Sequence, residues 1–318
     1  AWLEHAAQRF SQLGVARVRA NVRPVGSRQE VQRRVDLLVR SRGAPAALDI
    51  GEQAAQRERA RASLNTAERA MEIQNNLGAD IIMAFDDCPP SVLHGEGQDA
   101  AAHARRLEEA VDRTTAWLQR CVEAHARPSE QALFGIVQGG TDSSLRSRSL
   151  EEITAIDLPG YAIGGVAVGE SPELIHGIVA ETAPRLPREK PRYLMGVGKP
   201  QDLLMAIGHG VDLFDCVLPT RNGRNALAFT DSGPLRLRNL SHAKDQQPLE
   251  EGCTCPACQH SRAYIRHLFI AKEMLGPILL SIHNLFYYQR LVLEARQAVS
   301  ENRYAEFANQ KHAGWGLP

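Results

Sequence analysis

The chain carries no net charge, little aromatic content and few cysteines. Lys+Arg and Asp+Glu both number 37. No global field therefore draws it to nucleic acid, and any such contact must come from a local basic patch. No apolar run is long enough to span a bilayer and no secretory pattern opens at Ala1, so the cytoplasm is the expected compartment. Of the six cysteines, Cys253, Cys255 and Cys258 crowd into six residues. That spacing reads as a metal site and not as a disulfide framework. Lysine is missing altogether from residues 1–66, which hold 12 arginines and only two aromatics, Trp2 and Phe10. No clean apolar helix face or turn-bounded strand pair is legible there. Residues 1–64 are set apart as an atypical segment.

From Asn65 onward the pattern is regular. Thr66 suits an N-cap, with Glu68 favourable in the first turn. The helix it opens carries Ala70, Ile73 and Leu77 on one face and stops at Gly78. Ile81 to Phe85 reads as a buried strand leading to Asp86-Asp87-Cys88. Residues 99–126 read as a long amphipathic helix, with Leu107, Ala110, Val111, Thr114, Leu118 and Cys121 at helical spacing. Strands at 134–137, 161–163 and 192–195 alternate with helices at 145–156, 172–184 and 200–209. A further apolar run, Val211 to Leu218, ends at Pro219 and leads into a loop with two arginines. Strands that are apolar on both faces and alternate with helices specify a parallel sheet covered by helices. In such folds the loops after the strand C-termini carry the chemistry. Asp86, Gln138, Gly165, Gly196 and Asp215 all fall there.

Asp215 lies within an apolar run, where a carboxylate is costly unless it is paired or used. Capping of the next element is an equally good reading from spacing alone. The three clustered thiols need a fourth ligand for a closed tetrahedral zinc site. His260, His267 and His283 are the candidates. His260 is very close in sequence, whereas His283 would tie a later helix to the loop; without the cysteines it would read as a core histidine. Residues 226–252 suggest short strands and turns, two helices follow near 261–275 and 276–300, and the end looks frayed from about Gln310.

Six ordered blocks carry a resemblance. They are Met83 to Cys88, Phe134 to Gly140, Gly164 to Glu170, Tyr193 to Pro200, Phe214 to Arg224, and the C-x-C-x-x-C cluster. Together, over about residues 65–305, they resemble tRNA-guanine transglycosylase of the bacterial type. The resemblance implies a (β/α)8 TIM-type barrel with a C-terminal zinc-binding subdomain. It divides the chain into a barrel region at 65–240, a zinc subdomain with closing helices at 241–305, and a tail at 306–318. It implies exchange of the wobble guanine in tRNA with a G-U-N anticodon for the 7-deazaguanine preQ1, and a homodimer. Asp215 would be the nucleophile that forms a covalent glycosyl-enzyme, as in retaining glycosidases. The flipped base would be read by Asp86, Cys88, Gln138, Gly164, Gly165, Val166, Glu170 and Met195. Cys88 and Val168 match the bacterial form. The tRNA contact would come from Gly196, Val197, Gly198, Lys199, Pro200, Gln201 and Asp202, and from Thr220, Arg221, Asn222, Gly223 and Arg224. A plain solvated loop is the bland alternative for Arg221 and Arg224. Zinc would sit on Cys253, Cys255, Cys258 and His283.

The family's Ser-Asp-Ser-Gly-Gly motif, which supplies its proposed acid/base, has no counterpart in residues 1–64. Asp36 and Asp49 are the only aspartates there. A shifted reading frame is one origin for that segment. A zinc-containing tRNA-binding subunit without turnover, or a remnant, is the alternative function.

Overall fold

The computed structural model describes residues 66–91, 99–167 and 169–317. The atypical segment 1–64, with the reading-frame question, and Val168 lie outside the described residues. Helix α1 (Ala67–Leu77) precedes strand β1 (Ile81–Met83), then α2 (Ala100–Ala124), β2 (Ala132–Val137), α3 (Ser143–Thr154) and β3 (Gly160–Ile163). The alternation continues with α4 (Pro172–Thr182), β4 (Arg192–Leu194), α5 (Pro200–Gly208) and β5 (Leu213–Phe214). All four strand pairings are parallel, and the order β1-β2-β3-β4-β5 follows the chain. Strand order that never reverses belongs to barrels and not to doubly wound sheets. The sheet is a curled half-barrel: among the described residues five strands are present where the resemblance implies eight.

Local chemistry explains most boundaries. Thr66 caps α1 by accepting from Arg69 N–H at 3.2 Å, and Gly78 ends it in the left-handed conformation at φ 72°. Asp99 and Asp142 cap α2 and α3 in the same way. All six residues of β2 are buried, as a strand covered on both faces requires. Helix α2 buries Leu107, Ala110, Val111, Thr114, Leu118 and Cys121, the face its periodicity predicts. Each fully buried leucine there contributes about 1.5–3 kcal/mol.

Three expectations are corrected. Helix α1 turns Ala67, Met71 and Asn75 inward, whereas Ile73 and Leu77 are exposed. Both sets recur at helical spacing, so periodicity alone does not choose the phase. The run 211–218 is not a buried strand. Only Leu213–Phe214 pairs, and Leu218–Arg224 coils into helix α6 with Pro219 in its first turn. The two arginines thus ride on a helix, not a loop. The C-terminus is not frayed at Gln310 either: α9 (Tyr304–Gly314) buries Phe307, and Trp315 Nε1 donates to Tyr287 Oη at 3.0 Å.

Beyond α6 lie an antiparallel pair, β6 (Leu227–Ala228) and β7 (Leu235–Arg236), then α7 (Arg262–Ile270) and the long α8 (Leu275–Ser300). A second core gathers Leu237, Leu249, Ala257, Ile265, Leu268 and Leu280 around the cysteine cluster. Among the described residues no helix is long and apolar enough to cross a membrane.

Candidate functional site

Because the strands are parallel, the residues that follow them emerge at one end of the sheet. Asp86 follows β1, Gln138 follows β2, Gly164 and Gly165 follow β3, Met195 and Gly196 follow β4, and Asp215 follows β5. Gln138 is buried, and its Nε2 donates to Asp86 Oδ2 at 2.6 Å. Burial pushes the Asp86 carboxyl up, against the lowering influence of that hydrogen bond. Gly165 has φ +67°, and an added Cβ would lie 2.5 Å from Gln138 Oε1. Only glycine lets the backbone approach so closely. The Gly165 N–H lies against the exposed Cys88. Val166 is buried; Glu170 and Met195 are half-buried. Ser91 Oγ donates to Glu170 Oε1.

Asp215 is exposed at the mouth of the sheet. Its Oδ1 accepts from Tyr193 Oη at 2.6 Å and from Gly196 N–H at 2.9 Å. Burial, and then the carboxylate, push the Tyr193 phenol up, so it stays a donor. The second oxygen, Oδ2, accepts nothing from the described residues. One oxygen is anchored and the other is open to an electrophile. Asp215 does not cap α6, since no side chain caps that helix.

The residues expected at the tRNA contact divide by burial. Gly196, Lys199, Arg221 and Arg224 are exposed, and Gln201, Thr220 and Asn222 are half-buried. Val197, Gly198, Pro200, Asp202 and Gly223 are buried. Asp202 takes His176 Nε2 at 2.9 Å, and a Cβ on Gly223 would sit 2.7 Å from Ser281 N on α8. These buried positions hold elements together.

Several supporting groups carry no local sequence signal. Tyr288 Oη donates to Gly198 O at 2.5 Å, and Asn284 Nδ2 reaches Pro219 O and Leu227 O, both at 2.9 Å. Both sit on α8, one helix turn apart. Arg146 is likewise buried behind the β2 and β3 loops, although its Ser/Arg-rich surroundings suggest a solvated helix face.

On the flank, the ligand atoms of Cys253, Cys255, Cys258 and His283 all lie within 4.8 Å of one another. His283 Nδ1 is 4.0, 3.5 and 3.4 Å from the three sulfurs in that order. A tetrahedral ion with Zn–S near 2.3 Å and Zn–N near 2.0–2.1 Å sets S···N edges of about 3.5–3.6 Å. His283 Nε2 donates to Phe229 O at 2.9 Å, which leaves Nδ1 as the free ligand atom. The donor set fits a metal ion. His260 instead packs against the Tyr264 ring, and His267 is exposed on α7.

An α/β half-barrel with polar groups gathered at its strand C-termini and a Cys3His cluster beside it defines the class of protein. The comparisons carry this to a family. A family model described as queuine tRNA-ribosyltransferase matches residues 48–316. That match reaches further at both ends than the ordered blocks do. Curated proteins named queuine tRNA-ribosyltransferase are similar to this chain. The one from Thermus thermophilus is 52% identical over 246 residues, which is 77% of this chain and 61% of that protein. Those from Symbiobacterium thermophilum and Staphylococcus haemolyticus are 50% and 46% identical over 252 and 251 residues. They cover 78% and 79% of this chain, and 61% and 64% of their own lengths. The chain belongs to the queuine tRNA-ribosyltransferase family. It spans about three fifths of the length of the curated relatives it matches.

Proposed function

We propose that this chain exchanges guanine at the wobble position of tRNAs with a G-U-N anticodon for preQ1, through a covalent aspartyl-ribosyl intermediate. The observation that carries the reading is Asp215, anchored through Oδ1 by Tyr193 and Gly196 with Oδ2 open. In the proposed reaction Oδ2 bonds to the ribose C1′, and the C1′–N9 pair leaves with the base. The departing guanine takes up a proton, and the incoming preQ1 gives up its N9–H proton as N9 bonds to C1′ and displaces Oδ2, so the exchange balances and configuration is retained. Asp86 accepts from the ring N–H groups of the base, while Gln138 and the Gly165 N–H serve its carbonyl. The Val166 carbonyl takes the aminomethyl group of preQ1, Met195 packs on the ring, and Gly164, Cys88 and Glu170 shape and support the pocket. The exposed Lys199, Arg221 and Arg224 hold anticodon-loop phosphates, beside Gly196, Gln201, Thr220 and Asn222.

Zinc is the metal this reading assigns to Cys253, Cys255, Cys258 and His283. Four protein ligands leave no open position, so the ion would stabilise the fold and take no part in the chemistry. The same reading carries the complete (β/α)8 barrel, the division at residues 240 and 305, a homodimer and a cytoplasmic setting.

The test is incorporation of radiolabelled guanine into unmodified tRNA bearing a G-U-N anticodon, with D215N as control. Incorporation that falls at least ~10³-fold in D215N is expected for a lost nucleophile. Equal incorporation by both proteins removes Asp215 from the reaction. No incorporation by the folded, metal-loaded protein leaves a tRNA-binding subunit as the better account.

A further inference from the structure

Arg146 is the largest fully buried side chain among the described residues, at 2% exposure. A buried guanidinium is costly unless its donors are used. Its Nε donates to Gly140 O and its Nη2 to Gly164 O, each at 2.9 Å. Gly140 belongs to the loop after β2 and Gly164 to the loop after β3, so one side chain clamps two adjacent loops from behind. Nη1 has no partner among the described residues, and Glu170 and Glu181 supply the opposing charge at longer range. Burial lowers the group only to about 10, so it remains a cation at neutral pH.

The Gly164–Gly165 peptide is trans. In a trans peptide the C=O and the following N–H point to opposite sides. Fixing Gly164 O on Arg146 below therefore turns Gly165 N–H upward, to the side of Cys88. Gly165 at φ +67° can adopt that orientation.

We infer that Arg146 is a positioning residue that orients and polarises the Gly164–Gly165 peptide, so that Gly165 N–H becomes the discriminating donor to the 6-carbonyl of a purine-type base. The inference rests on the base-binding reading above. As the C1′–N9 pair leaves with the base, negative charge spreads to that carbonyl oxygen. A donor backed by a buried cation in a low-dielectric setting holds the charge more strongly than an ordinary amide.

The probe pair is guanine and 6-thioguanine, which keeps the ring N–H groups but replaces the carbonyl oxygen by a poor acceptor. Affinities are measured by equilibrium dialysis for the wild-type chain, R146Q and R146K, with thermal unfolding as the check on folding. Wild type should prefer guanine. R146Q should weaken guanine about 10- to 100-fold, the range for a charge-assisted hydrogen bond, and leave 6-thioguanine within about 3-fold. R146K, which keeps the cation but cannot hold both carbonyls, should restore part of the preference. Equal losses for both bases, or an unchanged preference, overturn the inference while the base-binding reading stands. Two variants that both fail to fold make Arg146 a fold-stabilising residue and overturn it as well. A wild-type protein that binds neither base removes the reading on which it rests.

Discussion

Asp86 shows how burial sets the working range of a single group. Its carboxyl lies above the usual range because burial disfavours the charge, and Gln138 offsets only part of that. The folded protein thus keeps the Asp86 proton to higher pH than the unfolded chain does. The stability this contributes is complete below the usual carboxylate range and is lost as pH rises through the raised value. The proposed base binding would run the opposite way, since only the carboxylate accepts from ring N–H groups. Guanine affinity should fall as pH drops, with an inflection above the ordinary carboxylate range, and D86N should abolish that inflection. An inflection at or below the ordinary range in a titration of affinity against pH contradicts the assignment. Asp86 and Asp215 both stand out in the sequence, Asp86 after an apolar run and Asp215 within one. The second half of the site does not. Tyr193 and Arg146 act through hydrogen bonds to groups 22 and 18 residues away, and no local pattern records such a pairing.

At the scale of elements, α8 connects the Cys3His cluster to the loops at the sheet mouth. His283 faces the cysteines, Asn284 holds α6 and β6, and Tyr288 holds Gly198. Helix α6 lies so close to α8 that Gly223 leaves no room for a methyl beside Ser281. G223A should therefore destabilise the protein by about 1–3 kcal/mol through overpacking. Gly177, in α4, has open space where its Cβ would be, so G177A should stabilise by about 0.4–1 kcal/mol. Thermal unfolding of the pair checks both signs, and two shifts in the same direction would contradict the packing account. The positions and lengths of α1 to α5 followed from periodicity and caps, whereas α6 and α9 did not. The phase of α1 did not, because Ala70/Ile73/Leu77 and Ala67/Met71/Asn75 are equally periodic and only the α1–α2 packing selects between them.

At the scale of the molecule, two cores meet along α8: Leu279 and Leu280 join the one around the Cys3His cluster, and Tyr287, Tyr288 and Leu291 join one with Leu203 and Leu204 of α5 and Phe307 of α9. A further core lies under the half-barrel. The charged network of Arg290 with Asp231, Glu250 and Glu294, joined by Lys311 from α9, fastens the second core to the C-terminal helix. Metal analysis should find one zinc ion per chain, lost in C255S. Removing the ion with a strong chelator should lower the unfolding temperature, because a closed four-ligand site contributes its binding free energy to folding. An unchanged unfolding transition in metal-free protein would sink the structural role.

The sequence by itself determined the alternation of strand and helix, the inward face of α2, the end of the sheet at which Asp86, Gln138, Gly165 and Asp215 gather, and the three thiols. Each is a short-range property, set by periodicity, by caps or by spacing within one turn. Tertiary structure alone decided that 218–224 coils against α8 and that Arg146 turns inward, and it brought the thiols to the His283 that the resemblance had named. Those outcomes depend on elements far apart in the chain meeting at close range, where steric fit and the need to satisfy buried donors choose among arrangements that local sequence leaves equal.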